Sequence, residues 1–356
     1  MASTLLSPSP ELSAAIAQFA PSAARGYLAA ASMGIPTADT VSAMAHDQEL
    51  WQSGQRDPMG YEPTVESTRA HFARLIGVPR EQVAIGSQTS VMASVVALSA
   101  PRGAEILCVE NDFTSIVFPF LQRSDLRVRS VPLRDIAGEI GPQTWLVAFS
   151  LVQSKTGEVA DVDAIEDAAQ RAGAFTLCDV TQAAGVHPVD ATRFDATVCH
   201  AYKWLCSPRG VAFMAVGDDF ARQLVPVQAG WYAGEQIWGS IYGPAMTLAP
   251  DARRFDVSPA WPCWVGAEPA IRMFADLDIA EIWNRCSALG DQLCDLLGIA
   301  QQHQAIVTWA DADGSEVAKL TQAGVRISGR AGRARAAFHL WNDESDVQQV
   351  AEILGR

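Results

Sequence analysis

Seven short apolar runs recur through the first two-thirds of the chain: VAIGS (83–87), AEILCVE (104–110), RVRSVPL (127–133), TWLVAFS (144–150), AFTLCDV (174–180), DATVCH (195–200) and GVAFMAV (210–216). Between them lie helix-like segments such as SVMASVVALSA and DVDAIEDAAQRAG. Continuous β-rich runs alternating with amphipathic helices predict an α/β domain with a doubly wound, mostly parallel seven-stranded sheet covered on both faces. Upstream, after a loose SPSP start, the spacing predicts polar helices from about Thr40 to Trp51 and from Glu62 to Ile76.

From Val265 the pattern changes to one long helix, a strand (AIVTWA), a helix, two strands (GVRISG and RARAAFHL) and a closing helix from Glu344. This is the texture of a smaller α+β domain. The expected division is an arm over 1–38 that joins the small domain, a large domain over 39–262 and a small domain over 263–356. The segment from Trp231 to Trp264 is irregular, rich in Gly and Pro, and holds four of the ten tryptophans. Long irregular segments in compact proteins tend to be functional or interfacial.

Composition narrows the function. A formal charge of −14 and a pI near 4.8 argue against coating nucleic acid or an anionic membrane, because both need a basic face. The seven cysteines show no CxxC pair and no zinc-ligand spacing, so no metal site is expected and they read as reduced core thiols. The N-terminus lacks a basic leader and no segment approaches a membrane span, so the expected location is the cytoplasm.

The stretch CHAYKWLCSPRG (199–210) sets one lysine among aromatic and thiol residues. Its stem could simply lie on apolar surface with its head in water. Alternatively, partial desolvation makes the amine a nucleophile able to form a Schiff base. In open α/β sheets ligands bind beyond the carboxyl ends of the strands. Those ends carry Ser87, Gln88 and Thr89, then Phe113, then Asp179 with Gln182, then His200, Tyr202 and Lys203. Together they are the parts of a pyridoxal 5'-phosphate site. Lys203 would hold the aldehyde, Asp179 the pyridine nitrogen, Gln182 the phenolic oxygen, and Phe113 the ring face. The glycine-led turn GSQTS opens a helix whose free N–H groups favour a phosphate, with His200 and Tyr202 as further donors. Each residue also has a structural explanation: GSQTS and Asp179 as helix caps, His200 as a satisfied buried histidine, Phe113 as core. Their shared location at strand ends favours the joint reading.

The succession GSQTS, ENDFTSIVFPF, SLVQSKTGEVADVDAI, CDVTQAAGVHPVD, CHAYKWLCSPRGVAFMAV and RISGRAGRARAAFHLWNDESDV resembles the class V aminotransferase family over nearly the whole chain. This family of fold type I pyridoxal-phosphate enzymes includes cysteine desulfurases, kynureninase, isopenicillin N epimerase-like proteins and the C–S lyase of ergothioneine synthesis. The resemblance implies that Lys203 is the Schiff-base lysine and proton shuttle. It also implies a homodimer, and that Arg335, with Arg330 near it, binds the substrate α-carboxylate. Two departures stand out. Desulfurases carry a persulfide-forming cysteine between the arginines matching Arg330 and Arg335, where this chain has only AGRA. A Gly-Thr that gives a hydroxyl to the phosphate across the dimer is replaced within RRFDVSPAW, so either Ser258 supplies it or the contact is absent.

The expected function is therefore an enzyme acting on an L-amino acid through an external aldimine and Cα deprotonation by Lys203. Elimination of a thioether-type group from an S-substituted cysteine is the preferred outcome, with an aminotransferase or epimerase next. A pyridoxal-phosphate sensor without turnover is disfavoured because the short acidic N-terminus has no room for a DNA-binding domain. A nucleotide-binding oxidoreductase lacks the GxGxxG turn after the first strand.

Overall fold

The computed structural model describes residues 7–19 and 24–356. All seven apolar runs form strands of one sheet: β1 (Val83–Gly86), β2 (Glu105–Val109), β3 (Arg127–Val131), β4 (Thr144–Ser150), β5 (Phe175–Asp179), β6 (Ala196–His200) and β7 (Ala212–Val216). Their order is β1-β7-β6-β5-β4-β2-β3. Strands β3, β2, β4, β5 and β6 pair in parallel, while β7 runs antiparallel to both β6 and β1. The central strands are buried along almost their whole length, as their unbroken apolar character requires. Strand β3 departs from this, since RVRSV places arginines on an open edge where charge discourages pairing with another chain.

Helices cover both faces. One core layer contains Phe72, Ile76, Phe149, Cys178 and Phe213. The other contains Met92, Val96, Ile116, Phe120 and Leu177. Gly86 ends β1 in a tight turn, because a Cβ there would lie 2.1 Å from Met92 Sδ. The helix Thr89–Ser99 can therefore start close against the sheet.

The expected long helix after Val265 is two helices, Trp261–Ala275 and Ile279–Leu297. Asp278 breaks it by accepting the Ala280 N–H at 2.9 Å, since a short carboxylate competes better as an N-cap than within a helix. The first of these helices packs on Ala38–Gln52 and Glu62–Ile76. A three-stranded antiparallel sheet follows: β8 (Ile306–Ala310), β9 (Ser328–Arg330) and β10 (Arg333–Ala337), in the order β8-β10-β9. The strand expected from GVRISG is thus shorter, and its first part pairs elsewhere: Leu28 N–H donates to Arg326 O at 2.8 Å. The SPSP start is not loose throughout, because Ser9 caps the helix Pro10–Ala17 and its hydroxyl donates to Glu281 at 2.7 Å.

A buried ion pair closes the β1 edge. Arg69 donates to both Asp256 oxygens, at 3.1 and 2.6 Å, and to Val83 O at 2.5 Å. Asp256 also accepts the Ile85 N–H at 2.8 Å. The aspartate of RRFDVSPAW thereby ties helix, edge strand and irregular segment together, while Ser258 is exposed. Leaving one charge of such a pair alone in the interior costs roughly 3–5 kcal/mol. Arg69 keeps a second partner, the part-exposed Glu66 at 3.0 Å, so Asp256→Leu should lower urea stability by up to about that amount, and the double variant Arg69→Met/Asp256→Leu by less than the sum of the single changes. Full additivity in the double-variant cycle would contradict this account of the pair.

Candidate active site

The carboxyl end of β6 delivers Lys203 into the interior, where the residue is only 4% exposed. Two glycines allow the backbone around it to pack closely. A Cβ on Gly34 would sit 2.1 Å from Lys203 O, and one on Gly185 would sit 2.8 Å from Trp204 O. Lys203 Nζ lies 5.0 Å from the centroid of the Phe113 ring and 5.7 Å from that of Tyr202. Among the described residues no carboxylate stands within ion-pair distance of it. Burial lowers its pKa to about 8; Asp179 opposes the shift, and Arg335 and Arg330 add to it.

Asp179 closes β5 and is buried, with its carboxylate accepting the Thr181 N–H at 2.8 Å. Burial raises its pKa to about 6, against the hydrogen bonds from Thr181 and the charge of Lys203. Phe113 presents a large apolar ring that is 42% exposed beside this buried pair. Asp112 fixes the turn that carries it by accepting from Ser150 N–H at 2.8 Å, Ser150 Oγ at 2.6 Å and the Phe113 N–H at 2.6 Å.

The helix Thr89–Ser99 begins at the same end of the sheet. Gln88 occupies its N-cap without a side-chain cap hydrogen bond, which leaves first-turn N–H groups free to meet an anion. Thr89 is buried, 3.3 Å from Thr181 Oγ1, which accepts the His200 N–H at 3.0 Å. Ser87 is half-buried and Gln88 exposed. Burial, then Arg209 and Lys203, lower the His200 pKa to about 4, so its ring is neutral. That ring packs 4.3 Å from Tyr202, whose other neighbour is the Arg209 guanidinium at 4.4 Å.

Arg335, on β10, is 2% exposed and also lacks a carboxylate partner among the described residues. Its acceptors are neutral: Ser154 O, Ser154 Oγ at 3.1 Å, Ser32 Oγ at 2.8 Å and Ser328 Oγ at 3.0 Å. Burial and the neighbouring Arg330 lower its pKa to about 10. Gln182 joins this network, giving its amide hydrogens to Ser154 Oγ and Ala31 O, both at 3.0 Å, while its oxygen accepts from Trp204 Nε1 at 2.8 Å. Arg330 is exposed at the tip of the hairpin. The structure thus gathers Lys203, Asp179, Phe113, Thr89, His200, Tyr202 and Arg335 around one end of the sheet. Ser154, Ser32 and Thr181 escaped the sequence reading; short polar residues in loops carry little signal until their partners are known.

This donor set fits pyridoxal phosphate. It combines a desolvated amine, a buried carboxylate, an exposed aromatic face and an unfilled helix N-terminus within one site, the arrangement such an enzyme requires. Residues 60–326 match the family described as aminotransferase class-V. The chain belongs to that family; it is a pyridoxal-phosphate-dependent enzyme. It is 26% identical over 311 residues to a protein of Bacillus subtilis described as an uncharacterized aminotransferase, YcbU, covering 81% of this chain and 82% of that one. It is 28% identical over 250 residues to a kynureninase of Deinococcus radiodurans, covering 66% and 60%. The fold matches that of the cystine C–S lyase C-DES, solved with its product cysteine persulfide, at a TM-score of 0.84 and 20% identity over 94% and 99% of the two chains.

The lowered pKa of Lys203 gives a pH dependence. A neutral amine is needed to attack the cofactor aldehyde, and that form gains population as pH rises through about 8. Capture of pyridoxal phosphate by the cofactor-free protein should therefore quicken with pH and level off above about 8. Stopped-flow absorbance would show the midpoint; one near the ordinary lysine value would mean that the amine is not desolvated.

Proposed function

We propose that the protein is a carbon–sulfur lyase that eliminates a thiol from an L-cysteine derivative substituted at sulfur. The observation that carries an amino-acid substrate is the pair of buried, unneutralised cations, Lys203 and Arg335, close enough that Arg335 depresses protonation of the lysine. Arg335 would bind the α-carboxylate through its planar fork and thereby set the orientation of the Cα–H bond. Lys203 Nζ would take the Cα proton, a role suited to an amine whose pKa lies near 8.

Pyridoxal phosphate, when bound, supplies an electron-accepting ring that stabilises negative charge at Cα. Ser87, Gln88, Thr89, His200 and Tyr202 would hold its phosphate, Asp179 its ring nitrogen and Phe113 its ring face. Lys203 would carry its aldehyde carbon. Gln182 would serve the phenolic oxygen after releasing Ala31 O or Ser154 Oγ, its present acceptors.

The thiols support elimination over transfer of sulfur to the protein. Six of the seven cysteines are buried, Cys263 is half-buried, and none lies on the β9–β10 hairpin beside Arg335. Cys206 follows Lys203 closely, but burial pushes its thiol pKa up and leaves it a poor nucleophile. The leaving sulfur would depart with the Cβ–S electron pair and take a proton as a free thiol; water then completes pyruvate and ammonia. A fold neighbour described as a cystine C–S lyase supports this choice among reactions that start with the same proton removal.

Incubation with S-substituted cysteines should release thiol, pyruvate and ammonia in equal amounts without a keto acid. A strict requirement for a keto acid, or racemised substrate without thiol, would replace lyase with aminotransferase or epimerase. Arg335→Lys keeps the charge and loses the fork, so kcat/KM should fall about tenfold to a hundredfold while cofactor absorbance stays nearly unchanged. Loss of cofactor in that variant would assign Arg335 to the phosphate.

We further propose a homodimer formed through the 231–264 segment, which is irregular up to Ala260 and from Trp261 opens the helix Trp261–Ala275. Tyr242 is 87% exposed, and Ile241, Met59 and Trp51 add exposed apolar surface. Trp238 Nε1 donates to Glu62 at 2.9 Å, which holds the segment against the start of the helix Glu62–Ile76, directly after the turn Pro58–Tyr61 that bears Met59. Exposed apolar surface of this extent is interface-like. Light scattering should give twice the 38.1 kDa chain mass, and a monomeric mass at working concentration would rule the dimer out.

A further inference from the structure

Trp204 directly follows Lys203, and its side chain and carbonyl are both held by hydrogen bonds that run in one direction only. The side chain is buried, and its indole N–H, which can only donate, meets Gln182 Oε1 at 2.8 Å. Its carbonyl, which can only accept, lies 2.8 Å from His339 Nε2. The other His339 nitrogen accepts the Leu340 N–H at 2.7 Å, so the ring hydrogen is on Nε2 and is donated to Trp204 O. Gly185 backs the same carbonyl so closely that a Cβ there would lie 2.8 Å from it. His339, from the segment after β10, thus fixes the backbone from which the indole projects.

The consequence falls on Gln182. A side-chain amide has one accepting end and one donating end, and a half-turn exchanges them. Two partners that cannot exchange roles tell the ends apart here: the Trp204 indole donates to the oxygen, and Ala31 O accepts from Nε2 at 3.0 Å. Ser154 Oγ, also 3.0 Å from Nε2, imposes no direction of its own, since a hydroxyl either donates or accepts. To serve the phenolic oxygen of the cofactor, the amide must turn an N–H toward it and release Ala31 O or Ser154 Oγ. Once Ala31 O is released, Trp204 is the remaining partner of fixed direction among the described residues, and the orientation of the amide depends on its N–H.

We propose that Trp204 is a positioning residue for the phenolic oxygen of the cofactor: its indole N–H keeps the Gln182 carbonyl oxygen turned away, so that an N–H, and not a second oxygen, faces that atom. This rests on the reading that Gln182 serves the phenolic oxygen. An N–H donated to that oxygen favours its anionic form, and so lowers the pH at which the cofactor joined to Lys203 gives up its proton. Losing the donor, or putting an amide oxygen in its place, raises that pH. The groups whose charge acts on Lys203, namely Asp179, Arg335, Cys199 and Arg330, are retained in every variant below.

The test reads the pH midpoint of the visible absorbance change of the cofactor-loaded protein, recorded without substrate. Gln182→Leu should raise the midpoint by about one unit, a tenfold change in proton affinity. Trp204→Phe keeps an aromatic ring and removes the N–H, and should raise it by at least about half a unit. Replacing Trp204 with 3-benzothienylalanine keeps the two-ring shape and also lacks the N–H; it should reproduce that shift, which separates the hydrogen bond from ring volume. Because Trp204 acts through Gln182, the double variant Gln182→Leu/Trp204→Phe should show the midpoint of Gln182→Leu alone. Trp264 is an equally buried indole whose Nε1 has no hydrogen-bond partner among the described residues, so Trp264→Phe should cost stability and leave the midpoint in place. An unshifted midpoint with 3-benzothienylalanine at position 204, or shifts that add in the double variant, would overturn the proposal and leave Trp204 a packing residue. An unshifted midpoint in Gln182→Leu would remove the reading of Gln182 on which the proposal stands, and the proposal with it. No turnover enters these measurements, so their outcome is independent of whether the protein releases thiol from any cysteine derivative.

Discussion

Burial of cationic nitrogen without a neutralising carboxylate is the constraint on which the rest of this molecule depends. Lys203 and Arg335 are 4% and 2% exposed, and neither has an ion-pair partner among the described residues. An unpaired charge in a protein interior is costly, by several kcal/mol even after relaxation. The two side chains meet that cost differently. Lysine can shed its proton, and burial moves its pKa to about 8. A guanidinium stays charged, so Arg335 is surrounded by hydroxyl and carbonyl oxygens from three separate parts of the chain. An anionic ligand would complete such an arrangement, and this is why the proposed function gives Arg335 the substrate carboxylate.

The acids of the region show the contrast. Asp112 and Asp256 are saturated by backbone N–H groups and neighbouring side chains, and they serve to hold the Phe113 turn and the β1 edge. They stabilise the walls and leave the cations unquenched. The polar chain Trp204–Gln182–Ser154–Arg335–Ser32 then links the lysine loop, the end of β5, the loop after β4, the small sheet and the N-terminal segment. His339 reinforces it, since its Nε2 lies 2.8 Å from Trp204 O while Nδ1 accepts the Leu340 N–H at 2.7 Å. That pattern fixes the proton on Nε2, which donates to the carbonyl beside Lys203.

Much of this was legible in the sequence. Seven apolar runs fixed by burial on both faces became seven strands, and strand ends gave the residues that meet in space because parallel strands place their carboxyl ends together. The break at Asp278 was missed, since apolar periodicity runs through it and only the cap geometry reveals the stop. The pairing of Arg326 with the segment around Leu28 was also hidden, because backbone pairing across 300 residues leaves no local pattern. The serines around Arg335 were invisible for a related reason: a hydroxyl becomes informative only when the buried group that it satisfies is known.

The central claim, that one buried lysine is the chemical centre, is open to a direct measurement. The chain contains three lysines, Lys155, Lys203 and Lys319. Reduction of the cofactor-loaded protein with borohydride, followed by peptide mass mapping, should place the pyridoxyl group on Lys203 and on neither of the others. A label on Lys155 or Lys319, with the peptide containing Lys203 unmodified, would contradict the account.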